Sequence, residues 1–213
     1  MPSDYSVELA GHALEYLDET HQYVVDGVIV PSITTLCKQL LGDRYPKVSR
    51  EILKRAAERG TAIHEAVERY CKTGVLGSEE TYGFRTLQRT YGFQVIGNEV
   101  PVILFDEGKP IAAGRLDLVI DRGGRRGLAD IKSTSKIDRE YLALQLHLYL
   151  IAYEQSYGER IEYLAGIHLR GDTARLINVP INREFITEMI RRIKDAKELQ
   201  VRTEREDMPV LDG

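Results

Sequence analysis

The stretch Ile137 to Tyr157, wound as a helix, is apolar on most of its faces and so must be buried on both sides. Its most apolar part, Tyr141 to Tyr153, is interrupted by Gln145 and His147 and runs for about 13 residues, well short of the roughly 20 that span a bilayer. A core helix is expected there, and no membrane segment. Composition agrees: 43% hydrophobic and 29% charged residues in a chain of 213 supply one ordinary core and exclude disordered, collagen-like and disulfide-stapled classes. A single domain spanning 1–213 is the expectation.

Ahead of that helix the hydrophobic period changes from helical to extended at Gln94. Gln94 to Phe105, Pro110 to Ile120 and Gly127 to Ser133 read as a three-stranded meander, turned by Asp106-Glu107-Gly108 and Asp121-Arg122-Gly123-Gly124. Ser49 is a plausible N-cap for a helix to about Tyr70, stopped by Gly74 and Gly77, and a second helical piece runs from Glu79 to Tyr91. Further forward, Asp26-Gly27 marks a hairpin within His21 to Val30, and Pro31-Ser32 opens a short helix through Leu41. Behind the buried helix, Glu162 to Leu169 and Ala174 to Val179 read as strands, and Asn182 caps an amphipathic helix to about Val201. The order helix, three strands, helix, strand predicts an α/β fold, a mixed α+β sheet flanked by helices. Residues 1–48 form a peripheral hairpin and helix in this reading, about 49–170 the core, and 174–207 a closing strand and helix.

Strand alternation puts Arg115, Asp117 and Val119 on one face of the second meander strand, with Leu116, Leu118 and Ile120 in the core. On the third strand Asp130 and Lys132 share a face. Two carboxylates on neighbouring strands repel unless a cation neutralises them. Mg²⁺ suits such a pair, because it takes hard oxygen ligands and uses one or two carboxylates plus a substrate phosphate. An isolated Asp-x-Lys is common as a surface ion pair, but three features converge on this one. His64 falls on the helical stripe Leu53, Ala56, Ala57, Gly60, His64, Val67 and Cys71 that faces the core, with Gly60 permitting close approach one turn earlier. Gln145 and Tyr149, four apart on the buried helix, project from one face and need polar partners. Arg44, Lys47, Arg50, Lys54, Arg55 and Arg59 against Glu51 and Glu58 leave six minus two, a local charge of +4. That run is a solvated helix face unless it borders the site, where it becomes a phosphate track.

The ordered set R-G-T-A-I-H (Arg59 to His64), G-R-L-D (Gly114 to Asp117), D-I-K (Asp130 to Lys132) and Q-L-H-L-Y (Gln145 to Tyr149) resembles the RecB-like branch of the PD-(D/E)XK nuclease superfamily, which includes many phage-encoded exonucleases and CRISPR-associated RecB-like nucleases. The likeness covers about residues 50 to 155, and YVVDGVIVPSIT (Tyr23 to Thr34) looks like the opening of phage-encoded members. It implies a restriction-endonuclease-like core of order αβββαβ and a Mg²⁺- or Mn²⁺-dependent deoxyribonuclease, an exonuclease of phage-type recombination or DNA processing. By the same resemblance His64, Asp117, Asp130 and the Ile131 carbonyl are metal ligands, and Glu99 stands where several relatives carry an acid. Lys132 then holds the attacking water, Gln145 and Tyr149 support the site and contact DNA, and Arg59, Arg55 and Arg115 bind substrate. DNA is the implied partner, alongside a homo-oligomer and a recombination or helicase protein. GRLD replaces a literal Pro-Asp, as is usual in that branch.

Other classes receive less support. Cys37 and Cys71 are too few for a four-cysteine zinc site or for the iron–sulfur cluster some relatives carry, so no such cluster is expected. Neither cysteine neighbours a plausible base and no G-x-S-x-G elbow occurs. With no G-x-x-x-x-G-K-[ST], no fused helicase motor is expected. The amino terminus, MPSDYSVELAGH, does not read as a secretion signal, so a cytoplasmic setting is expected, that of the host if the chain is phage-encoded. A net charge of −4, from 29 basic and 33 acidic residues, argues against a charge-driven nucleic-acid coat but permits a local basic cleft. Two alternatives stay open: a DNA-binding or assembly module with an unused site, and an RNA- or structure-specific endonuclease.

Overall fold

The computed structural model describes residues 4–42 and 48–206. Its chain divides at Ile181/Asn182 into two compact units. Among the described residues the first unit contains two sheets and four helices. Strands β1 (Tyr5–Leu9), β2 (His12–Leu17), β3 (Gln22–Val25) and β4 (Val28–Val30) form an antiparallel sheet in sequence order. The Asp26-Gly27 signal is the β3–β4 turn, with both residues at positive φ (50° and 78°), as a two-residue turn between right-twisted strands requires. The hairpin expected at His21 to Val30 is only half of this sheet. β1 and β2 are joined at Ala10-Gly11, where Ala10 takes a φ of 51° that alanine rarely adopts, so the turn carried little sequence signal.

Helix α1 (Ile33–Leu41) is capped by Ser32, whose hydroxyl accepts from the Thr35 N–H at 3.0 Å. Helices α2 (Arg50–Thr73) and α3 (Glu79–Tyr91) follow, each with a serine N-cap (Ser49, Ser78) and a left-handed glycine at its end (Gly74, Gly92). Then come β5 (Gln94–Asp106), β6 (Lys109–Arg122), β7 (Arg125–Lys132), α4 (Arg139–Tyr157), β8 (Tyr163–Arg170) and β9 (Thr173–Val179). They form a five-stranded sheet in sequence order, antiparallel except where β7 and β8 run parallel across α4. The αβββαβ core is therefore present, and the fold is mixed α/β.

One face of this sheet packs Leu118, Ile120, Ala129, Ile131, Ala165 and Ile167 against Ile63 and Val67 of α2 and Phe84 and Leu87 of α3. The other face carries α4, buried along nearly its whole length and packed on β5 to β8 and on α1. A helix covered on both sides has no polar face to show, which is why its sequence has no helical stripe. The β1–β4 sheet has its own core, in which Leu9, Leu14, Tyr16, Tyr23 and Val25 meet Ile103 of β5 and Ala113 of β6. The second unit contains α5 (Arg183–Glu206), where Asn182 Oδ1 accepts the Phe185 N–H at 3.0 Å and Glu188 pairs with Arg191 and Arg192.

Candidate active site

The site begins where two strands part. β6 and β7 pair as far as Leu118↔Ala129, and there the ladder ends. The Ile131 N–H, left without a strand partner on that side, donates instead to Asp117 Oδ2 at 2.7 Å. A carboxylate thus replaces a ladder hydrogen bond, which satisfies the backbone and fixes Asp117 at the mouth of the opening. β7 itself stays in register with β8 to Lys132↔His168.

Helix α2 delivers His64 to this opening. Gly60, one turn earlier, lies so close to the end of β7 that an added Cβ would sit 3.4 Å from Ser133 Oγ. His64 Nε2 is 3.1 Å from the Ile131 carbonyl oxygen. The carbonyl can only accept, so Nε2 carries a proton, and Nδ1 is turned toward Asp117 Oδ1 (3.5 Å) and Glu99 Oε1 (4.0 Å). One donor atom each from His64, Glu99 and Asp117 lies within 4.8 Å of the others.

Glu99 reaches the site by an unusual backbone. It stands in β5 between partners Asn98↔Leu118 and Val100↔Leu116, past a register shift at Val95/Gly97, with a φ of 51°. A non-glycine residue in the left-handed region inside a strand is strained and persists only where its surroundings hold it. The Glu99 side chain forms an ion pair with Arg115, whose Nε lies 2.5 Å from Glu99 Oε2, off the line a hydrogen bond needs. The Arg115 guanidinium in turn lies over the Tyr16 ring, 5.6 Å from its centroid.

Asp130 is buried (3% exposed) and falls outside the His64–Glu99–Asp117 group. Lys132 Nζ sits 2.7 Å from its Oδ2, off the line a hydrogen bond needs, and donates to Gln145 Oε1 at 2.8 Å. Tyr149 donates its hydroxyl proton to the Arg115 carbonyl at 3.1 Å. Gly114 makes room for that ring: an added Cβ would lie 3.2 Å from Tyr149 Cε1 and 3.3 Å from its hydroxyl. Gln145 and Tyr149 therefore brace the site from α4, one through Lys132 and the other through the β6 backbone.

The basic track is placed differently. Arg55 pairs with Glu51 at 2.6 Å on the exposed side of α2, and Arg59 faces Glu80 of α3 at 3.8 Å. Arg115 is turned onto Glu99 and Tyr16. Arg44 and Lys47 lie outside the described residues. Tyr16 is the contributor that sequence reasoning missed, and the alternation of H-A-L-E-Y-L was the signal available for its strand.

Charge is concentrated here at low exposure. Burial, reinforced by the Asp130 carboxylate, lifts Asp117 above its ordinary pKa, and burial with the Asp117 charge lifts Glu99. For His64, burial opposes protonation, but Asp117, Asp130 and Glu99 together outweigh it and raise the ring. Lys132 behaves likewise: burial works against the ammonium, and Asp130 and Asp117 more than restore it. A cluster whose acids take up protons against one another is one that a cation relieves. An imidazole lone pair and two carboxylate oxygens are suitable donors for a divalent ion, and the buried Asp130 Oδ2 beside them lacks an aligned donor.

Acids on two parting strands, with a lysine and a histidine converging on them, are the equipment of a metal-assisted hydrolase. The profile of the PD-(D/E)XK nuclease superfamily matches residues 78–209, more than half of the chain, and the protein belongs to that superfamily. Its class is that of divalent-metal nucleases that hydrolyse phosphodiesters. No curated protein matches the sequence. The crystal structure of SSO0001 is similar over 80% of this chain and 76% of its own, with 16% identity and a TM-score of 0.43. No helix among the described residues is long and apolar enough to cross a membrane.

Proposed function

We propose that this nuclease acts on DNA with Mg²⁺ or Mn²⁺, as a RecB-like exonuclease of phage-type recombination or DNA processing. The observation that carries the reading is the convergence of His64, Glu99 and Asp117 beside the Asp130–Lys132 pair. His64, Glu99, Asp117 and Asp130 would hold the ion. When bound, it supplies Lewis acidity to the scissile phosphate and acidifies water. The chain's own groups do the rest. Asp130 and Gln145 fix the Lys132 ammonium from two sides, so that it orients a water and adds positive potential where charge grows on the phosphate. Asp117, anchored by the Ile131 N–H, keeps its second oxygen directed into the site. The Ile131 carbonyl accepts from His64 Nε2, which orients the ring and leaves Nδ1 facing the acids, free to ligate once it is deprotonated.

Phosphodiester hydrolysis demands up to about 20 kcal/mol of barrier reduction, so loss of one central group abolishes turnover rather than trimming it. The test is linear and circular DNA with Mg²⁺ or Mn²⁺, against EDTA and against Asp130→Ala and Lys132→Ala. Metal-dependent loss of linear DNA, absent in both variants, is expected. A folded wild type that leaves every DNA form intact, or cuts only RNA, overturns the proposal.

A further inference from the structure

The β1–β4 sheet contributes more than cover. Tyr5, Tyr16 and Tyr23 are cross-strand partners in β1, β2 and β3, and their rings form a continuous row. Tyr5 and Tyr16 stack at 5.7 Å, and Tyr16 and Tyr23 lie 4.9 Å apart. Tyr16 is 6% exposed, and its hydroxyl is 2.9 Å from His21 Nδ1, so the central ring is held on both flanks and at its tip. Over that ring lies the Arg115 guanidinium, which pairs by charge with Glu99 Oε2 and leaves Oε1 on the side of His64 and Asp117.

We propose that Arg115, seated on the Tyr16 ring, is a positioning residue for the metal centre: it fixes the rotamer of Glu99 and divides the labour of its two oxygens, and through it the amino-terminal sheet becomes part of the catalytic apparatus. Three observations support this. The glutamate backbone sits at a φ of 51°, a conformation that needs an external restraint. The arginine backbone is itself fixed by the Tyr149 hydroxyl. The guanidinium is planar, offering one edge to a carboxylate while its face rests on an aromatic ring, which a lysine cannot reproduce. Arg115 therefore acts through Glu99 rather than by touching substrate. This inference rests on the metal site of the proposed function and deepens it.

Removing an outer partner of a metal ligand typically weakens metal affinity by about 10- to 100-fold. Mn²⁺ binding is therefore measured by calorimetry on the full chain for wild type, Arg115→Gln, Arg115→Lys, Glu99→Gln and the double variant Arg115→Gln/Glu99→Gln. Arg115→Gln is expected to lose about 10-fold or more in the wild-type background and less than about threefold in the Glu99→Gln background, with Arg115→Lys intermediate. A loss below about threefold in Arg115→Gln, or an equal loss in both backgrounds, overturns the proposal. If Arg115→Gln does not fold, Tyr16→Leu in the same two backgrounds decides by the same criterion. DNA cleavage is scored separately. A wild type that binds Mn²⁺ and shows the coupling but leaves DNA intact removes the nuclease reading and keeps this one, whereas cleavage without the coupling does the reverse. A wild type that takes up no Mn²⁺ overturns this proposal directly.

Discussion

The two oxygens of Asp117 are committed differently: Oδ2 accepts the Ile131 N–H at 2.7 Å, and Oδ1 faces His64 Nδ1 at 3.5 Å. Asparagine can keep the first contact through its carbonyl oxygen while discarding the charge that burial and Asp130 disfavour. Asp117→Asn is therefore expected to abolish cleavage yet raise the melting temperature of the metal-free protein by about 2–4 °C, the shift that about 1 kcal/mol gives in a chain of this size. Scanning calorimetry in EDTA measures it, and a lower melting temperature contradicts it. The same groups set a pH dependence. Asp117 and Glu99 hold protons more tightly folded than at their ordinary values of 3.8 and 4.5, and His64 more tightly than at 6.5. Their stabilising contribution is complete below those ordinary values and is lost as pH rises through the raised ones, because the folded chain then binds more protons than the unfolded. Metal-free protein should melt lower at pH 8 than at pH 6, with the difference reduced in Asp117→Asn and by added Mg²⁺. Melting curves that rise with pH in wild type and variant alike contradict this.

Between elements, β6 fits closely against α4 near the site. A Cβ at position 114 would stand 3.2 Å from Tyr149 Cε1, 3.3 Å from its hydroxyl and 3.4 Å from Ile33 Cδ1, so even a methyl group there requires α4 or α1 side chains to give by a few tenths of an ångström. Gly114→Ala is expected to cost about 1–3 kcal/mol, and the cost should shrink when Tyr149→Phe removes the hydroxyl, a non-additivity that denaturant titration of the four proteins reads. Additive costs would place the strain elsewhere. The aspartate three residues after Gly114 was legible from strand alternation and the tyrosine from its four-residue spacing to Gln145, whereas the glycine entered only as part of the G-R-L-D motif. The meander, α2 and α3 were legible by the same kind of periodicity, and α4 by the length of its apolar run; the helices are capped by serines or an aspartate and closed by glycines. β1 and β2 were not, because Ala10 at positive φ carries no turn chemistry. Nor was the turn of Asp130 toward Lys132 rather than toward Asp117, since strand alternation fixes a face but not a rotamer.

For the first compact unit as a whole, the parallel pairing of β7 with β8 matters most. β7 carries Asp130 and Lys132, and its outer edge is completed only by residues 163–170, which arrive after α4 has crossed the sheet. A chain ending at Glu162 should lack cooperative unfolding and be cleaved rapidly by a protease, whereas the full chain resists, and a compact, resistant fragment would show that β7 needs no outer neighbour. During synthesis the lysine-bearing segment must therefore wait, an open edge without its last neighbour, until more than three quarters of the polypeptide has left the ribosome. The site of a phosphodiester-hydrolysing enzyme is thereby completed only late in its own synthesis, its assembly timed by nothing more than the order in which its strands emerge.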